Sequence, residues 1–289
     1  MEKTTIIGYV GVFMAIMFGI SFGGGGFDFA KLLNFVNGAS IFITIGGTIF
    51  VLLASFPLKT FKNIPKHFKM IISKDKKDPY EYVEILTELS KEARRKGLLS
   101  LEDKTKDFKD DFLKESIFLI VDAIEPDKLR VWFDQKLSYI EKRNEEERKL
   151  YDMGSAIGPA LGMIGTLIGL VNMLKSMSLT GGAGNLGQDM SVALITTFYG
   201  SILANCIFTP ISNKLEIIQE REILFKEIII EGVICIKEGE NPKHIREKLL
   251  NFLDEKEIPK LTGQKVKTAK AKTKVRVKAK AKTKHSLEN

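Results

Sequence analysis

Three threonines, Thr166, Thr196 and Thr197, stand inside long runs that carry no charge. A hydroxyl both donates and accepts hydrogen bonds, so it can hold a water chain or ligate a sodium ion. It can equally bond a carbonyl one turn back in its own helix. Both readings stand on the residues alone. Two prolines, Pro159 and Pro210, lie in the same runs. Each removes a donor from the backbone ladder and crowds the carbonyl four residues earlier. A third group is charged: Arg94, Arg95 and Lys96, then Gly97, a short leucine-rich stretch and Glu102. Opposite charges across a glycine turn serve plain solubility, or they form a docking face where they set orientation and on-rate for a protein partner.

The element that must position Thr166 is Met153 to Lys175, MGSAIGPALGMIGTLIGLVNMLK, with 22 uncharged residues before the lysine. At about 1.5 Å rise per residue it crosses a hydrocarbon core about 30 Å thick. Gly154, Gly158, Gly162, Gly165 and Gly169 recur at spacings of three and four. Such a face admits close approach of another helix in lipid, and the expectation is a surface that a partner slides against. Thr196 and Thr197 belong to Met190 to Ile211, MSVALITTFYGSILANCIFTPI. Two earlier apolar blocks, Thr4 to Phe22 and Asn34 to Leu58, form an antiparallel hairpin. The first has a charged tip like a signal peptide but no small-residue cleavage site, and is read as a retained membrane helix. Gly23 to Gly26 end it as a turn. No strand precedes them and no GK[ST] follows, so they are not a phosphate loop.

Between the second and third blocks the chain is densely charged and reads as soluble helix. One helix runs from Asp78-Pro79 to Gly97, with Tyr82, Ile85, Leu86 and Leu89 at helical spacing. A second begins near Asp111. A third, from Pro126 to Leu150, continues into the Met153 run. After Ile211 the fourth helix passes into water, and a short helix follows Asn241-Pro242. From Gly263 the chain is low-complexity, with ten of the 44 lysines and arginines and no acid before Glu288. It cannot bury a core and is expected to be disordered. It has no interleaved aromatic for base stacking, so no nucleic-acid partner is expected.

Basic residues set the orientation. The segment from Pro57 to Leu150 has 22 and the chain from Lys214 onward has 19, against one in each of the other two loops. Both termini and the large loop are therefore expected in the cytoplasm. The expected fold is an all-α membrane protein of four transmembrane helices, with a helical cytoplasmic domain inserted between helices 2 and 3. Its parts are a hairpin at 1–58, the cytoplasmic domain at 59–150, helices 3 and 4 at 151–213, cytoplasmic helices at 214–260 and the basic tail at 261–289.

The motifs of enzymes are missing. There is no Walker A sequence, HExxH, nucleophile elbow or CxxC. His67, His244 and His285 are scattered, and Cys206 and Cys235 are expected to pack as small apolar groups. No enzyme activity, metal or cofactor is expected. Apart from the terminal Lys175, the four blocks contain no Asp, Glu, Lys, Arg or His. Ion carriers place an ionisable group at membrane depth. If this chain serves an ion path, the titrating group must come from another chain.

Over residues 1 to 255 the sequence resembles the MotA family of flagellar motor stator proteins, called PomA in sodium-driven motors. The resemblance rests on the two-plus-two helix plan, on RRKGLLSLE from Arg94 to Glu102, and on the pair GPALGMIGTLIGLVNML and ALITTFYGSILANCIFTPI. It implies a multi-pass protein of the bacterial cytoplasmic membrane. Five such subunits surround two copies of the single-span partner MotB, whose aspartate carries the transported H+ or Na+. The turning ring pushes the rotor protein FliG. By motif, Pro159 and Pro210 match prolines that couple ion flow to movement. Thr166 and Thr197 match hydroxyls facing the ion path, with Thr196 beside them. Arg94 and Glu102, with Arg95, match the charged group that engages the rotor. The basic tail is outside the pattern. The ion stays open, with the reading leaning to protons. The alternative is an energiser of the ExbB and TolQ type, which powers outer-membrane transport; those have three spans, so the N-terminal hairpin argues against it. A structural membrane scaffold would need no path-facing hydroxyls.

Overall fold

The computed structural model describes residues 3–22, 28–73, 78–105, 108, 110–122, 124–180 and 186–253. The tetraglycine turn Gly23–Gly26 and the basic tail lie outside these residues. Every regular element among the described residues is helical. Helix α1 is Lys3–Ser21 and α2 is Gly38–Ser55. Short helices α3, Leu58–Lys62, and α4, Ile64–Ile72, follow. Next come α5, Pro79–Lys96, α6, Leu101–Thr105, and α7, Asp111–Val121. Helix α8 runs Pro126–Thr180, α9 Leu186–Lys237 and α10 Pro242–Leu250. Helices α1, α2, α8 and α9 are long and apolar enough to cross a membrane, which is the four-span all-α plan expected above.

Local chemistry explains the boundaries. The second block was expected to be helical from Asn34, but α2 starts at Gly38, because the Asn37 side chain accepts from the Ser40 amide and caps the helix. Residues Phe29–Phe35 form a separate 3-10 turn capped by Asp28. Helix α8 continues straight through Pro159, so the proline removes one hydrogen bond without ending the helix. At Pro210 the backbone responds differently. The preceding turn, Leu203–Phe208, widens to π geometry, which accommodates a ring that crowds the carbonyl of Cys206. The sequence pattern did not reveal α3 and α4. They are too short for a strong periodic signal, yet α4 buries His67 and Ile71.

The chain divides into two compact units, Met1–Lys76 with Asp134–Ile223, and Lys77–Phe133 with Leu224–Asn289. In the first, Ile71, Leu150, Tyr151, Ile211 and Leu215 form a cluster, with Phe56, Phe61 and Phe208 packed on it. His67 stands inside: its Nδ1 is 2.9 Å from the Tyr151 hydroxyl and its Nε2 3.1 Å from Glu147 Oε2. Asn63 donates to the other Glu147 oxygen at 3.3 Å. Polar partners thus offset the burial of the ring. Arg148 Nη1 pairs with Glu216 at 2.6 Å, and Ser212 donates to Asp152. These contacts clasp α8 to α9 just beyond their uncharged runs.

The second unit buries Val83, Leu86, Leu113, Ile117, Ile120, Phe133, Ile228 and Ile234. Each such side chain contributes about 1.5–3 kcal/mol relative to exposure. Helix α10 is tied to α5 by Arg246, whose Nε donates to Glu84 at 2.9 Å. Cys235 is fully buried, and burial pushes its thiol up to about 11. It packs as a small apolar group. Cys206 is only half-buried.

Candidate functional site

The glycine face of α8 is occupied by α9 of the same chain. A Cβ built on Gly154 would meet the Phe208 ring at 2.7 Å, and one on Gly158 the Gly200 carbonyl at 3.1 Å. One on Gly162 would stand 3.1 Å from Thr197 Cα, one on Gly165 2.5 Å from the Thr196 side chain, and one on Gly169 2.7 Å from Ala193 Cβ. In the other direction, a Cβ on Gly200 would be 2.6 Å from the Gly158 carbonyl and 3.2 Å from Pro159 Cα. The expectation that these glycines offer a sliding surface to a partner is therefore corrected. They are consumed by an intramolecular seam, because only backbone-to-backbone approach brings α8 and α9 this close.

That seam sorts the three threonines. Thr196 is fully buried, and its hydroxyl donates to Val192 O at 2.8 Å and Ala193 O at 2.9 Å. Its own carbonyl accepts from Thr44 at 3.4 Å. Thr196 is thus a packing residue between α2, α8 and α9. Thr197, one step round the helix, is exposed, with a longer bond to Ala193 O at 3.3 Å. Thr166 is half-buried and donates to Met163 O at 2.6 Å. In both, the proton is spent on the helix and the oxygen lone pairs remain. A hydroxyl in that state accepts from water or ligates a cation.

The residues beside them are apolar and open. Met163, Leu167, Leu170 and Leu174 on α8 and Leu194 on α9 are exposed. Over the uncharged runs 153–174 and 190–213 there is no carboxylate, amine, guanidinium or imidazole; the ionisable side chains are the Cys206 thiol and Tyr199, whose hydroxyl donates to Phe35 O. The surface around Thr166 and Thr197 therefore offers an ion neutral oxygen ligands and no charged one.

Sequence reasoning missed one part of this site. Ser40, Thr44 and Thr48 line one face of α2 and are all buried. Ser40 donates to Val192 O at 3.3 Å, and Thr48 to Thr44 O at 2.6 Å. The available signal was their spacing of four in an otherwise apolar helix, which puts polar groups on a single face. Such groups in a span face protein rather than lipid.

The charged turn lies in the second unit. Gly97 ends α5 at φ 86°, a left-handed conformation that favours glycine, and its N–H bonds Ala93 O. Glu92 accepts from Lys96 at 3.1 Å and Lys104 at 2.6 Å, closing the turn onto α6. Arg94, Arg95 and Glu102 are exposed and make no ion pair among the described residues. Leu99, between them, is 74% exposed. The turn holds three free charges and an apolar tip on a braced support.

The comparisons agree with one another. Residues 104–228 match the model of the MotA/TolQ/ExbB proton channel family. Motility protein A of Borreliella burgdorferi is 37% identical, over 90% of this chain and 97% of that protein. Chemotaxis protein PomA of Vibrio alginolyticus is 32% identical, over 88% and 96%. The flagellar MotAB stator complex from Bacillus subtilis superimposes with a TM-score of 0.79 at 30% identity, covering 90% of this chain and 99% of that one. The chain belongs to the MotA family. Its fold is that of a stator and ion-channel subunit. The wider family model includes TolQ and ExbB, but the two relatives named above, matched over nearly their full length, are a motility protein and a chemotaxis protein, which makes the MotA reading the more specific. In MotA terms, Thr166, Thr197 and Pro159 sit along the α8–α9 seam, Pro210 follows the π turn, and Arg94, Arg95 and Glu102 sit on the braced turn.

Proposed function

We propose that this chain is the ring-forming stator subunit that, with a single-span MotB-type partner, carries ions across the bacterial cytoplasmic membrane and converts their passage into torque on the rotor protein FliG. One observation carries the reading: the seam bearing Thr166 and Thr197 has hydroxyl oxygens and no carboxylate over two full membrane crossings. A path of that kind needs its titrating group from outside, and a partner aspartate supplies it.

In this reading the partner's aspartate picks up H+ or Na+ and passes the exposed hydroxyls of successive subunits. Thr166 and Thr197 accept from the ion's water or ligate the ion itself, lowering the cost of moving charge through an apolar surround. Five copies enclose a partner dimer, and both termini lie in the cytoplasm. Movement reaches the cytoplasmic end at Pro159 and Pro210, where the helix ladder lacks a donor and is softest. Arg94, Arg95 and Glu102 then engage complementary charges on the rotor.

The test is co-expression with a MotB-type partner in cells lacking their own stator, scored by swimming and by ion flux in membrane vesicles. Restored swimming with flux that vanishes when the partner's aspartate is changed to asparagine supports the reading. Flux that persists without the partner aspartate overturns it. Swimming speed against external sodium at fixed pH separates the two ions.

A further inference from the structure

Below the glycine seam, α8 and α9 are joined by a ladder of polar rungs. Ser212 donates to Asp152 Oδ1, Arg148 Nη1 meets Glu216 Oε1 at 2.6 Å, and Gln219 Nε2 donates to the Asn144 carbonyl at 3.2 Å. The rungs lie four residues apart on α8 and three to four apart on α9, which keeps them on one face of each helix. They prolong the antiparallel register of the seam, where Gly158 meets Gly200 and Gly154 meets Phe208. The first two rungs are coupled, because Arg148 Nε also lies 3.7 Å from the other Asp152 oxygen. Ser212 is buried. Tyr151 and Ile211, the chain neighbours of Asp152 and Ser212, belong to the buried apolar cluster of this unit.

The Asp152–Ser212 rung is set apart by its position. Asp152 precedes Pro159 by two helical turns, and Ser212 follows Pro210 by two residues. The rung therefore ties the two helices where their uncharged runs end, beyond both prolines. Each proline, with the π turn that precedes Pro210, is a point where its helix bends most easily. With no tie beyond these points, one helix slides past the other and its displacement is lost. The glycine seam resists sliding by packing alone, whereas a hydroxyl donating to a carboxylate is a directional, charge-assisted bond. We propose that Asp152 and Ser212 are positioning residues for torque: their bond locks α8 to α9, so that movement arising at Pro159 and Pro210 leaves the membrane as motion of both helices together. The proposal rests on the stator reading and adds to it a pair of residues that touches neither the ion nor the rotor.

The test uses the full chain with its MotB-type partner in cells lacking their own stator, and reads swimming speed and vesicle ion flux on the same variants. Asp152→Ala and Ser212→Ala are each expected to keep flux and lose most of their swimming speed. The double variant is expected to be no worse than either single one, because both changes remove the same bond. Ser212→Thr keeps the hydroxyl and Asp152→Asn keeps an acceptor oxygen, and swimming is expected in at least one of them. Co-purification with the partner shows that each variant assembles. Wild-type swimming in both alanine variants overturns the proposal alone. So does flux that falls in step with swimming, which makes the rung merely structural. A wild-type chain that carries no flux overturns the stator reading, and this proposal with it.

Discussion

Gly165 and Thr196 are in such close register that a Cβ on the glycine would lie 2.5 Å from three atoms of the threonine side chain. No rotamer of Thr196 relieves this readily, because the residue is fully buried and its hydroxyl is bonded to two carbonyls. Gly165→Val is expected to force α8 and α9 apart and cost about 1–3 kcal/mol. Thermal unfolding in detergent should show a lowered midpoint, with Gly19→Ala on α1, where nothing lies within 4 Å, unchanged. Equal midpoints for the two variants would show that the seam is not close-packed.

The neighbouring threonines should separate by function. Thr196→Val keeps shape and loses only bonds to its own helix, so flux should change little. Thr197→Val removes an exposed oxygen from the proposed path, and flux should fall by about tenfold or more, the factor that each 1.4 kcal/mol produces. Vesicle flux measurements on both variants check this. If Thr196→Val is the more damaging, the hydroxyl assignment fails.

Pro159 and Pro210 are expected to behave as coupling residues. Pro159→Leu restores a backbone donor to a helix that is already continuous. The subunit should assemble with its partner while swimming is lost. Pro210→Leu should also allow the π turn at Leu203–Phe208 to revert to α geometry, visible as altered amide exchange there. Retained swimming in both variants would sink the coupling role.

Arg94→Glu reverses a charge on the braced turn and should abolish or strongly impair motility while membrane assembly persists. Loss of membrane insertion would instead make the residue structural. Glu92 supplies the brace. Its hydrogen bond from Lys104, then that from Lys96, holds its carboxyl below the usual carboxylate range. A lowered folded-state pKa means the brace is fully present above the ordinary value of 4.5 and is lost as pH falls through the lowered one. Protection of the Gly97 amide, relative to its intrinsic exchange rate at each pH, should therefore fall only on acidification below that value, and Glu92→Gln should lower it at neutral pH as well.

His67 should prove structural. His67→Ala strands the buried Tyr151 hydroxyl and one oxygen of Glu147, at a cost of about 1–3 kcal/mol. The unfolding midpoint of the full chain measures it. An unchanged midpoint would mean that water replaces the ring.

The charge-free runs and the glycine spacing of Met153–Lys175 were enough to indicate four spans and a missing carboxylate. These are one-dimensional properties: a bilayer reads apolar length and flanking charge directly, without tertiary help. The amphipathic period likewise revealed α5, whose Tyr82, Leu86 and Leu89 are buried. The spacing of the glycines did not say which helix would fill them. In lipid every small face is equally ready for a partner, and only the fold assigned this one to α9. For the same reason Thr196 and Thr197, adjacent and chemically identical, could not be told apart in the sequence. A step of 100° round the helix buries one against Gly165 and leaves the other open. The polar stripe of Ser40, Thr44 and Thr48 and the short helix around His67 arise from contacts 80 or more residues apart. The chain itself determined that it crosses the membrane and carries no ion-binding acid there; tertiary packing alone decided which hydroxyls and which faces remain free for another molecule.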